Sequence, residues 1–189
     1  MKIAISILFI NLILLSCNTQ KKKNVSVEKL KVKIEIVTET ISNSEIKATI
    51  KTNLPENTNL TITASRDYKR KNDNAQYAGD LYYSFSSPVK NGKISFNFNP
   101  LSKKWIDEYE IFRKENGEFD KTLTEIDNKS IEDTIEISVL YTPKAKQPED
   151  IIKKLGSNGE NLIGKEIETT ISGFKICSKK IKFYNQFKK

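Results

Sequence analysis

Apolar residues recur at every second position in several short runs, and a period of two marks a strand with one face buried. Leu30, Val32, Ile34 and Ile36 alternate with Lys31, Lys33 and Glu35. Ile46, Ala48 and Ile50 repeat the pattern against Glu45, Lys47 and Lys51. Leu60, Ile62 and Ala64 repeat it again, after a turn-rich interval at 53–58. Ile135, Ile137, Val139 and Tyr141 form a further run that stops at Pro143. A strand with one polar face closes only one side of a core. Several of them at this spacing predict antiparallel sheets packed as a sandwich.

Between these runs the pattern changes. Residues 65–79 read as a polar, basic loop and Leu81 to Phe85 as a strand. Asn91-Gly92 is a strong hairpin signal, and it predicts that this strand pairs with the one through Ile94, Phe96 and Phe98. Leu101, Trp105, Tyr109 and Phe112 are then spaced by four, four and three, the stripe of an amphipathic helix. Asn99-Pro100 precedes it, Gly117 closes it, and Glu110 with Lys114 is the expected exposed pair. Residues 118–133 read as an acidic-polar connection. Gln147-Pro148 introduces a second, short helix through Ile151, Ile152 and Leu155, with Gly156 as its stop. Gly173 to Phe183 is a closing strand or strand pair. Strict alternation there sets Cys177 opposite Phe174 and Ile176; a bulge after Ile176 is expected to turn this thiol inward, since free cysteine is among the most buried residue types.

The first residues follow another logic. Met1-Lys2 is a minimal positive region, and Ile3 to Leu15 is a mostly apolar run of 13 residues, too short to span a bilayer but suited to a cleaved leader. The run ends in Leu14-Leu15-Ser16-Cys17. This tetrapeptide resembles the lipobox of bacterial lipoproteins. The resemblance implies a signal peptide over 1–16, cleavage before Cys17 and acyl chains on that cysteine. Residues 17–28 are then a lipidated cysteine and flexible tether, with Lys21-Lys22-Lys23 solvating it, and 29–189 a single domain. The segments T-N-L-P-E-N-T-N-L (52–60), V-K-N-G-K-I (89–94) and K-L-G-S-N-G-E-N-L-I-G (154–164) resemble a class of small immunoglobulin-like envelope lipoproteins. The expected fold is therefore an all-β, immunoglobulin-like antiparallel β-sandwich with one inserted amphipathic helix and one short helix.

Composition narrows the chemistry. The chain has no histidine, so Ser-His-Asp and Cys-His arrangements and imidazole zinc sites are excluded. With Cys17 lipidated, Cys177 has no disulfide partner in the chain. No Gly-rich phosphate cradle occurs. Asp107-Glu108, Glu132-Asp133 and Glu149-Asp150 are the carboxylate pairs that a glycosidase would need, but adjacent residues point apart. The acidic run from Asp120 to Asp133 lacks the spacing of an EF-hand loop. The formal charge is +8, yet only Arg66, Arg70 and Arg113 are arginines among 32 basic residues. Nucleic-acid recognition favours arginine, so lysines scattered among glutamates read as solvated surface.

One basic, aromatic segment remains: Arg66, Tyr68, Lys69, Arg70 and Tyr77 are the candidate partner-binding residues, for an envelope protein or an acidic polymer. The expectation is a non-enzymatic interaction or accessory module without cofactor. It is held to the membrane by its lipid in the cell envelope, at the outer membrane facing the periplasm. Two alternatives stay open: a carboxylate enzyme acting on envelope polysaccharide, and a lipoprotein carrying a ligand or metal.

Overall fold

The computed structural model describes residues 28–186; the leader, Cys17 and the tether up to Val27 lie outside them. In chain order the first strands are β1 (Leu30–Lys31), β2 (Ile34–Ser42), β3 (Glu45–Thr52), β4 (Asn59–Arg70), β5 (Gln76–Pro88) and β6 (Lys93–Phe98). Helix α1 (Lys104–Asn116) follows, then β7 (Ile126–Asp127), a single 3-10 turn at Asn128–Ser130, and β8 (Thr134–Tyr141). Helix α2 (Glu149–Leu155), β9 (Leu162–Ile163), β10 (Ile167–Thr169) and β11 (Lys175–Tyr184) complete the described chain.

Two antiparallel sheets face each other. One has the order β2-β3-β6; the other runs β10-β11-β8-β4-β5, with β7 paired to the far end of β4. Of the seven longer strands, the first, second and fifth form one sheet, and the third, fourth, sixth and seventh belong to the other. That is an immunoglobulin-like order. The alternating runs supply the inner faces: Ile46, Ala48 and Ile50 on β3, Leu60, Ile62 and Ala64 on β4, and Ile135, Ile137 and Val139 on β8 are all buried. Each fully buried branched aliphatic side chain stabilises the fold by about 1.5–3 kcal/mol relative to exposure. Across the gap, Tyr82 of β5 stacks on Phe96 of β6 with ring centroids 4.2 Å apart.

The first alternating run keeps its parity but divides between sheets. β1 pairs in parallel with β9, Leu30 against Leu162, before the chain crosses to β2. Asn53 clasps the crossing. Its Oδ1 accepts from the Lys33 N–H at 2.7 Å, and its Nδ2 donates to the Lys31 carbonyl at 2.8 Å.

Several expectations need correction. Residues 65–79 are no loop: β4 runs to Arg70 and β5 starts at Gln76, leaving only 71–75 as a connection. The turn at Asn91-Gly92 forms, with both residues at positive φ (51° and 69°), but its two sides belong to different sheets. β6 pairs with β3, so the turn carries the chain across the sandwich. Nor does a bulge follow Ile176. The ladder from Cys177↔Tyr141 to Tyr184↔Thr134 is continuous, and the inward parity is that of Cys177, Ile181 and Phe183. Phe174 and Ile176 lie on the other face, so the buried thiol needs no irregularity. On α1, Glu110 pairs with Arg113 at 2.7 Å, one residue nearer than Lys114.

Two buried groups yield tests. The Tyr141 hydroxyl is buried without a hydrogen-bond partner, and burial, with Glu160 nearby, pushes its pKa up to about 12. An unsatisfied buried hydroxyl costs about 1–3 kcal/mol. Tyr141→Phe is therefore expected to leave stability unchanged or raise it by about 1 kcal/mol in urea unfolding; a loss of more than that shows that the hydroxyl is satisfied. Burial, with a further contribution from Glu166, pushes the Cys177 thiol up to about 12 as well. An ordinary cysteine, with a pKa of about 8.5, reacts faster with maleimide as pH rises through 8 to 9. Peptide mapping should find Cys177 slow throughout that range in native protein and fast only after unfolding.

Candidate functional site

β4 and β5 are the two longest strands, and the inward parity of β4 continues past Ala64 to Arg66, Tyr68 and Arg70. Its partner changes along the way. β8 accompanies β4 from Thr61 to Arg66, and β7 takes over at Lys69 and Arg70. These last inward side chains need a cover, and α1 provides it. A second apolar cluster forms there from Tyr68, Trp105 and Ile126, with Tyr77, Leu81, Ile106, Tyr109 and Ile131 packed around them.

Trp105 seats the helix. Its indole lies 4.9 Å from the Tyr68 ring and directly over Gly79 of β5, where any Cβ would overlap the indole. The Tyr109 hydroxyl donates to the Thr124 carbonyl at 2.5 Å and ties the helix to the connection that follows it. The packed face is thus Trp105, Ile106 and Tyr109, whereas Leu101 and Phe112 of the sequence stripe are exposed.

The five residues singled out in the sequence separate into different roles. Tyr68 is a centre of the second cluster, and Tyr77 packs on it at 5.7 Å between ring centroids. Arg70 stacks over the Tyr77 ring at 3.8 Å, bonds its hydroxyl, and pairs with Asp73 at 3.1 Å. The Tyr77 hydroxyl and then the Ala75 N–H hold the Asp73 carboxyl below its ordinary value. Lys69 has the opposite parity and is exposed. These contacts place Tyr68, Arg70 and Tyr77 in packing that supports the hairpin, away from a shared open surface.

Arg66 differs. It is only 7% exposed, and its Nε and Nη2 are buried with no hydrogen-bond partner. Burial pulls its pKa down and the charge of Asp133 counters that pull; an arginine nonetheless stays charged. Arg70 also leaves its Nε without a partner, but Asp73 answers its charge. Beside Arg66 lies a cavity of about 510 Å³ between the loop before α1, the first turn of α1 and the segment around the 3-10 turn. Leu101, Trp105, Ile106 and Ile131 form its apolar wall, with Lys103, Asp107 and Asn128 at its polar rim.

The carboxylate pairs do not assemble here. Asp107 reaches the rim, while its neighbour Glu108 pairs with Lys104 at 3.2 Å. Glu132 accepts from Gln76 at 3.2 Å, and Glu149 pairs with Lys153 at 4.0 Å. One carboxylate in a cleft does not make the two-carboxyl arrangement of glycoside hydrolysis. In the acidic run, Asp120 accepts from Thr122, Glu125 from Lys71, and Asp127 from the Lys129 N–H. Among the described residues no three Asp, Glu, Cys or His side chains are grouped to hold a metal.

Comparison with family models, curated proteins and solved structures finds no match. The cleft must therefore be read from its own chemistry.

Arg66 and Trp105 each stand out in the sequence, but their meeting does not. Ile131 and Asn128 sit in a stretch without period, and Gly79 is a lone glycine at the end of a polar segment. The usable signal was the even-numbered series Leu60 to Arg70, a parity unbroken for the whole of β4. Gly79→Ala tests the seat of the helix. It should displace Trp105, shift its fluorescence and cost about 1–3 kcal/mol, as forced overpacking does. Unchanged fluorescence and stability would show that α1 does not depend on this contact.

Proposed function

We propose that the chain is a lipid-anchored module of the bacterial cell envelope that works by binding rather than by catalysis. The observation that carries this reading is Leu14-Leu15-Ser16-Cys17 at the end of a short apolar run, 13 residues before β1 begins at Leu30. Several acyl chains, each buried methylene contributing about 0.8 kcal/mol, hold a protein on a membrane, where one chain is marginal. The outer membrane, facing the periplasm, is the proposed location.

The direction of the chain adds support. β1 starts beside Asn161, whose carbonyl accepts from the Leu30 N–H at 2.8 Å. Asn158 bonds Lys175 at the start of β11, close to the Cys177↔Tyr141 rung. Arg66, Arg70 and the start of β8 lie at the other end of the same ladders. The tether thus joins the domain at Leu30, at the end opposite α1, which leaves the anchor out of the way of a partner at the α1 end.

A second reading, a lipoprotein that carries a small ligand, is favoured by the cavity beside Arg66. Both readings share the anchor. Cys17→Ser is expected to give an unprocessed or soluble form that takes up no labelled palmitate, because oxygen does not replace the thioether sulfur. Labelling and membrane fractionation check it, and unchanged labelling of the variant removes the lipoprotein reading. Crosslinking in intact cells followed by pull-down then tests for a partner on the α1 end.

A further inference from the structure

We infer that the cleft between α1 and β4 binds a small organic monoacid, an apolar body ending in a carboxylate, whose two oxygens accept from Nε and Nη2 of Arg66. This rests on the ligand-carrying reading above and is independent of the lipid anchor. Nε and Nη2 share one edge of the guanidinium, and their two N–H bonds run nearly parallel. That fork matches the two oxygens of a carboxylate and gives a charge-assisted, bidentate pair. Here both donors of the fork are buried and unmatched in a side chain nine-tenths buried. Buried donors almost always have acceptors, so an unmatched fork beside a cavity points to an acceptor that the chain itself does not supply.

The cavity sets the rest of the ligand. Its volume of about 510 Å³ falls within the roughly 300–1,000 Å³ of small-molecule sites. Leu101, Trp105, Ile106 and Ile131 offer apolar surface that an inorganic anion leaves unused. The charges favour a monoanion: Arg66 lies in the field of Asp133, and at the rim Lys103 is opposed by Asp107. A dianionic phosphate meets too little net positive charge, and a neutral alcohol leaves the fork half used. The fork has no solvent contact, so a ligand reaches it as the wall side chains rearrange. Trp105 belongs to that wall and is the chain's one tryptophan, so its fluorescence reports the event.

The test uses the full chain, purified in detergent and titrated with hexanoate, hexan-1-ol or inorganic phosphate while Trp105 fluorescence is followed. A saturable change with hexanoate, at least about tenfold tighter than with hexanol or phosphate, is expected from a charge-assisted pair. Arg66→Leu removes the fork, and hexanoate affinity should fall about tenfold or more; its thermal midpoint should fall as well, because Asp133 loses the countercharge of Arg66. Arg66→Lys keeps the charge without the fork and should bind hexanoate more weakly than the parent; it decides the matter if the leucine variant does not fold. Equal affinity for hexanoate and hexanol overturns the carboxylate grip while leaving a ligand-carrying cleft. Phosphate binding as tightly as hexanoate, or undiminished hexanoate binding in both variants, overturns it too. No saturable response to any of the three overturns both the grip and the ligand-carrying reading.

Discussion

The inward face of β4 must be covered along all twelve residues, and two different layers share that work. From Leu60 to Ala64 the cover is the opposing sheet, with Ile46, Ala48 and Ile50 in the same core. From Arg66 to Arg70 it is α1, seated by Trp105 on Gly79. The helix is thus more than an insertion between two strands. Without it, Tyr68 and Ile126 would stand in water, and the far end of the long β4–β5 hairpin would lose its cover.

The join between the two covers is where the chemistry concentrates. Arg66 follows Ala64 on the same face, at the point where one apolar cluster gives way to the other. A guanidinium is an expensive group to place there, because its hydration is lost and each unmatched donor adds to the cost. Asp133 offsets part of this electrostatically. What remains is an uncompensated polar cost at a position packed on both sides, a break of the local rule that polar groups are matched where they are buried.

Much of the fold was legible because strand periodicity is local. The inward residues of β3, β4 and β8 could be read from single runs such as Ile135, Ile137 and Val139, and α2 from its Pro148 and Gly156 punctuation. Sheet membership was not local. Asn91-Gly92 announces a turn, but nothing within the turn says that its two sides pair elsewhere, with β4 for one and β3 for the other. The polar letters of 65–70 suggested a loop because arginine and lysine dominate them. The structure shows that two of those cations are buried, and burial depends on a helix encoded some forty residues later. Cys177 differs in the opposite sense: its burial is legible, but Phe174 and Ile176 suggest the wrong inward parity and so call for a bulge. The continuous ladder with β8 assigns that parity to Cys177, Ile181 and Phe183 instead.

The crossing at Asn53 has a mechanical consequence. β1 joins β9 through only two residues, Leu30 and Lys31, and the Asn53 clasp follows at once. Any load on the amino-terminal side of the domain meets this short ladder first and the clasp second, before it reaches the nine residues of β2. The clasp ties the crossing to the residue that follows β3, so the load that passes the short ladder is handed to the end of that strand, and the first part of the fold to yield under tension is a two-rung segment at the end away from α1.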